Sequence, residues 1–77
     1  MINEKLKELV SDIFEIKTSD IVDELRFEDI PEWESLKFLA LITEIEEEWS
    51  IKFTMNEIET MDSLDKMSAA VLRHVES

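Results

Sequence analysis

The chain contains no glycine and a single proline, Pro31, in 77 residues. Glycine supplies the positive backbone angles that tight hairpins require, and proline punctuates short turns, so a chain poor in both has few ways to join strands closely. Helices connected by polar loops are the economical alternative. Cysteine is also absent, which removes disulfides and thiolate metal sites as staples and leaves the redox compartment unspecified. At this length one apolar core is near the smallest that sustains a fold, so residues 1–77 are expected to form one domain held by that core alone.

Apolar spacing places the helices. Leu6, Leu9, Val10, Ile13 and Phe14 follow one helical face, with Asn3 as N-cap and Glu4 in the first turn, predicting a helix over 3–15. Periodicity fails from Lys17 to Glu34, a long loop with a helical turn expected around Ser19 to Glu24. Loops of this length are uncommon and often functional. Pro31 disfavours helix at Ile30, and helical spacing resumes through Leu36, Leu39, Ile42, Ile45 and Trp49, joined by Phe38 and Leu41, predicting a second helix over 35–49. Its apolar sector is wide enough to imply burial on two sides or an apolar cavity on one. Thr54-Met55-Asn56-Glu57 reads as a capping box opening a short third helix over 54–59. Leu64, Met67, Val71, Leu72 and Val75 then form the stripe of a fourth helix ending near 76. The expected fold class is all-α, a bundle of three long helices and one short one.

Charge narrows the partners. Twenty acids against eight bases give −12, with a pI near 4.3. No Lys/Arg cluster exists to meet phosphate backbones or anionic lipids, so neither nucleic acid nor membrane surfaces are expected partners. Basic protein surfaces are what such a field would steer in, although the same charge also serves solubility alone. No stretch approaches the roughly 20 apolar residues of a membrane span, and Met1-Ile2-Asn3-Glu4 lacks a basic segment followed by an apolar one. A cytoplasmic monomer is expected.

Two serines stand at helix starts. Ser35 opens the second helix, where unpaired amides and the helix dipole favour an anion, such as a phosphate esterified to its hydroxyl. The alternative is an ordinary N-cap. Against the cap, a capping box would put Glu or Gln at position 38, and Phe38 is there. A hydrolytic nucleophile is disfavoured because His74 is the only histidine and a glycine-flanked serine elbow is impossible. Ser35 is therefore a residue for another protein to modify, and no enzymatic activity is expected. In Asp62-Ser63-Leu64, either Asp62 or Ser63 is read as the cap of the fourth helix, Leu64 entering the core.

The order helix, long loop, Glu34-Ser35-Leu36 opening a leucine-rich acidic helix, short helix and closing helix resembles the acyl carrier protein family over essentially the whole chain. Trp33, and Ile45-Glu46-Glu47-Glu48-Trp49 after the serine, are similar to that family's pattern as well. The resemblance implies that Ser35, flanked by Glu34 and Leu36, takes a covalent 4'-phosphopantetheine arm from a phosphopantetheinyl transferase. The arm's thiol would hold an acyl or aminoacyl group as a thioester for loading ligases and synthases with basic docking surfaces, in fatty acid or polyketide biosynthesis or a related pathway. It further implies recognition by Glu44, Glu47, Glu48 and Lys37, and an acyl pocket walled by Phe38, Leu39, Ile42, Ile58 and Met61. Departures accompany it. Glu34 stands where the family has aspartate, and Lys37 and Ala40 stand where many members are acidic, pointing to a different choice of partner.

The remaining features have plainer readings. Residues advance by about 100° around a helix, so only Glu44 with Glu47 or Glu48 share a face, and without His or Asp beside them a metal site is not expected. Trp33 and Trp49 read as packing anchors, Trp49 in the core. His74 reads as a cation near a helix C-terminus. The rival functions are an unmodified acidic interaction module that kept the fold, which Glu34 and Lys37 favour, and a small enzyme using clustered carboxylates.

Overall fold

A computed structural model describes residues 2–31 and 33–76. Four α-helices follow one another: α1 (Ile2–Phe14), α2 (Ser35–Trp49), α3 (Met55–Thr60) and α4 (Leu64–Glu76). Two single 3-10 turns, Thr18–Asp20 and Phe27–Asp29, lie in the long segment between α1 and α2. The helical class and the order long, long, short, long match the expectation from spacing. Glu32, in the acidic approach to α2, lies outside the described residues.

The core is built from one face of each long helix. Leu6, Val10 and Phe14 of α1 meet Leu41, Ile42 and Ile45 of α2 and Leu64, Met67, Ala70 and Val71 of α4, all buried. The loop contributes Ile21, Phe27 and Ile30, and the α3 region contributes Phe53 and Met61. Among the described residues no polar or charged residue is buried. Apolar burial of this kind, about 25 cal/mol per Å², is what a staple-free chain has to rely on.

Without glycine, the helix ends use other residues in the left-handed region. Glu15 (φ 57°) follows α1 and Ser50 (φ 54°, ψ 49°) follows α2. The turn after α2 is closed by Ile51 N–H donating to Glu46 O at 3.0 Å. Glu46 also accepts from Phe53 N–H at 2.9 Å through Oε2, fixing the link to α3. The capping box of α3 is present in both directions, Glu57 N–H to Thr54 Oγ1 at 3.2 Å and Thr54 N–H to Glu57 Oε1 at 2.8 Å.

Several local expectations are corrected. Asn3 is inside α1 and accepts from Ser68 on α4, tying two helices instead of capping one. The turn expected around Ser19 to Glu24 is present as a 3-10 turn at Thr18–Asp20 followed by a turn closed by Leu25 N–H on Val22 O at 3.1 Å, whereas the 3-10 turn at Phe27–Asp29 has no periodic signal because three residues are too few to show one. Trp49 is half-buried at the margin of the core, not inside it. Leu72 and Val75 lie at the exposed edge of the α4 stripe, 44% and 48% exposed.

The long loop is held in the middle. Arg26 and Ser63 form an isolated antiparallel bridge, with Phe27 N–H donating to Asp62 O at 3.0 Å and Leu64 N–H donating to Leu25 O at 2.9 Å. Lys7 Nζ, 3.0 Å from Asp23 Oδ1, pins the loop to α1. These contacts deliver the segment before α2 to one place.

Candidate functional site

The two candidate serines have different surroundings. Ser63 Oγ accepts from Lys66 N–H at 3.3 Å, so it caps α4, while Asp62 pairs with the Lys66 ammonium at 3.1 Å. Its backbone is also part of the bridge to Arg26. Ser35 is the first residue of α2, exposed, and among the described residues its hydroxyl has no hydrogen-bond partner. The N-cap position belongs to Glu34, in extended conformation and with no side-chain cap. The cap reading of Ser35 is thereby corrected: it sits one residue too late to cap.

The first backbone bond of α2 is Phe38 N–H to Glu34 O at 3.0 Å. The amides of Ser35, Leu36 and Lys37 therefore have no partner within the helix, and α2 has no acid in its first turn. Unpaired amides and the positive end of the dipole fit a phosphodiester on Ser35, so the residues present suit a phosphopantetheine arm.

Around the serine, Leu36 and Leu39 are 72% and 50% exposed. The wide apolar sector of α2 thus divides: Leu36 and Leu39 face solvent, while Phe38 borders a cavity described below. Ala40, Thr43, Glu44, Glu47 and Glu48 are exposed on the same helix, and Lys37 is half-exposed. Glu48 lies 3.9 Å from Lys5 of α1, a surface pair of small energy. Glu46 is engaged with Phe53, as described, and does not join the outward acids.

Beside the serine, the loop and α2 build an aromatic cluster. Trp33 stacks nearly parallel on Phe14 (5.8 Å, 11°) and Phe27 (6.0 Å, 6°) and meets Phe38 at 5.1 Å with a 49° tilt. This is the packing role expected of Trp33, although it keeps 36% exposure. Next to the cluster is a cavity of about 300 Å³ lined by Phe27, Glu28, Trp33, Phe38, Ile58, Glu59, Met61 and Asp62. Three sequence candidates, Phe38, Ile58 and Met61, come together there. Leu39 and Ile42 do not: Leu39 is directed to solvent and Ile42, 4% exposed, is spent on the core.

Periodicity did not single out Phe27, Glu28, Trp33, Glu59 and Asp62 as cavity residues. Their proximity depends on the bridge between the loop and the start of α4, a long-range contact without a local signature. His74 lies in the last turn of α4, as expected, and is engaged there as well. Its ring packs edge-on against Phe53 at 5.3 Å and its Nε2 contacts both carboxylate oxygens of Glu57, so it joins α4 to α3. The Thr54 amide first, and His74 second, hold the Glu57 carboxyl below its ordinary range.

Among the described residues, no group of three or more His, Cys, Asp or Glu could hold a metal ion, and no helix is long and apolar enough to cross a membrane. No curated protein matches the chain. The family model described as a phosphopantetheine attachment site matches residues 4–71, from the first turn of α1 to the buried part of α4. With its helical order and an exposed serine at the head of α2, the chain belongs to the phosphopantetheine attachment site family, the family of the acyl carrier proteins, and serves as a phosphopantetheine carrier.

Proposed function

We propose that residues 1–77 form a carrier domain in which Ser35 holds the phosphopantetheine arm and an acyl or aminoacyl group travels on it between partner enzymes. The observation that carries this reading is the contrast between the serines: Ser35 is exposed and unengaged at the head of α2, whereas Ser63 is committed to the α4 cap. When bound, the arm supplies a terminal thiol that holds cargo as a thioester. The chain's own residues do three things. The Ser35 oxygen bonds to the pantetheine-side phosphorus of coenzyme A as that pyrophosphate link breaks and adenosine 3',5'-bisphosphate leaves, and the serine proton goes to a base of the transferase, since the sole histidine is engaged with Glu57. The free amides at the head of α2 stabilise the phosphodiester charge. Leu36, with Glu44, Glu47 and Glu48, offers an apolar contact ringed by negative charge to basic surfaces on the transferase, ligases and synthases.

Such docking is fast and readily reversed, which suits a shuttle that has to leave each partner. Catalysis belongs to those partners, and the carrier works as a cytoplasmic monomer. Glu34 and Lys37 adjust which of them it serves. Incubation with coenzyme A and a broad-specificity transferase, followed by intact mass measurement, tests the reading. One added arm is expected in the wild type and in Ser63→Ala, and none in Ser35→Ala. No gain with several transferases would sink it in favour of the unmodified interaction module, which Glu34 and Lys37 would then explain.

A further inference from the structure

The cavity next to the aromatic cluster has a polarity of its own. Its apolar wall is made by the rings of Phe27, Trp33 and Phe38 with Ile58 and Met61. All its other lining residues are acids, Glu28, Glu59 and Asp62, and among the described residues no cation lines it. Arg26 and Lys66 stand outside it, 3.1 Å from Glu28 and Asp62 respectively, and both pairs are more than half exposed. Exposed pairs of this kind neutralise charge but bind weakly. Glu59 has no such partner among the described residues and leaves the rim with a net negative charge.

The position of the cavity indicates its occupant. Trp33 precedes Ser35 by two residues and Phe38 follows it by three, so a group tethered to that hydroxyl can fold back onto these rings. At about 300 Å³ the space is at the lower end for ligand pockets and suits a short chain. Aromatic faces attract a cation electrostatically, and carboxylates at the mouth add to that attraction. An anionic terminus would face three carboxylates, of which Glu28 and Asp62 have a cation beside them and Glu59 has none among the described residues.

We propose that the cargo is a short acyl group with an apolar body and a cationic terminus, that is, an amino-bearing acyl group, and that Glu59 is the residue selecting it. This inference rests on Ser35 being the attachment residue. It goes further by excluding dicarboxylic cargo and by ranking an amine above a methyl of equal length.

Three amide-linked pantetheine probes of matched length, hexanoyl, 5-aminopentanoyl and glutaryl, can be loaded on the full chain by a transferase and verified by mass. NMR then follows the methyls of Ile58 and Met61 and the indole N–H of Trp33. The amine probe is expected to perturb these signals with a cavity-bound population about fivefold that of hexanoyl at low salt. Glutaryl is expected to leave them at the values of the unloaded arm. Glu59→Gln should bring the amine down to the hexanoyl level, while Glu8→Gln on α1 should change nothing. Hexanoyl equal to or above the amine, glutaryl entering the cavity, or an amine preference that survives Glu59→Gln would each overturn the cargo assignment while leaving the carrier intact. Failure of Ser35 to load would overturn both.

Discussion

His74 Nε2 lies 2.9 Å from Oε2 and 3.0 Å from Oε1 of Glu57, so the last helix holds the short third helix through the same carboxylate that caps it. The arrangement gives α3, which is only six residues long, an anchor that its own hydrogen bonds could not provide.

It also gives a pH signature. Because folding lowers the Glu57 pKa from its ordinary 4.5, the group's stabilising share is complete above that pH and is lost as pH falls through the lower folded value. Glu57→Gln is expected to cost about 1 kcal/mol at pH 7. Thermal melts of both proteins should converge as pH is taken from 4.5 downward. A deficit unchanged at pH 3 would mean that ionisation of Glu57 contributes nothing.

The two serines should separate on stability as cleanly as on modification. Ser63→Ala removes the acceptor for the Lys66 amide and is expected to cost about 1 kcal/mol. Ser35→Ala removes a hydroxyl without a partner and should stay within about 0.5 kcal/mol of wild type. Urea denaturation of the two variants side by side measures this, and a loss at Ser35 equal to that at Ser63 would contradict the free hydroxyl.

Ser50 ends α2 in the left-handed region, where a side chain is disfavoured and glycine is not. Ser50→Gly is therefore expected to raise stability by about 0.5 to 1 kcal/mol, the steric relief outweighing the greater freedom of glycine in the unfolded chain. The midpoint of chemical denaturation reports the change; a decrease would show that Ser50 has a favourable contact beyond its backbone.

Leu36, 72% exposed beside Ser35, contributes little to the core but much to any surface pressed against the head of α2. Leu36→Ala is expected to leave the melting temperature within about 2 °C and to slow transfer of the arm about tenfold, a loss near 1.4 kcal/mol of docking. Initial rates of loading at subsaturating carrier test it. An unchanged rate would remove Leu36 from the interface.

Periodicity gave the four helices because each long helix buries a repeating apolar face: Leu6, Val10 and Phe14 are spaced by the helical turn and lie together in the core. The bounds of α2 coincide with 35–49 because Pro31 and the first leucine frame its start. What the spacing could not reveal was set by contacts distant in sequence. The second loop turn, the pairing of His74 with Glu57 and the removal of Leu39 and Ile42 from the cavity all depend on how helices and loop pack together. The width of the α2 apolar sector was similarly ambiguous, since exposed leucines such as Leu36 and Leu39 look the same in a sequence as buried ones.

The bridge between Arg26 and Ser63 has a mechanical consequence. Phe27 and Glu28 stand on one side of it and Met61 and Asp62 on the other, so two backbone hydrogen bonds set the gap between these opposing walls of the cavity. Moving those two walls apart breaks a backbone rung, so on this side the cavity is as firm as the tie between the loop and the start of α4.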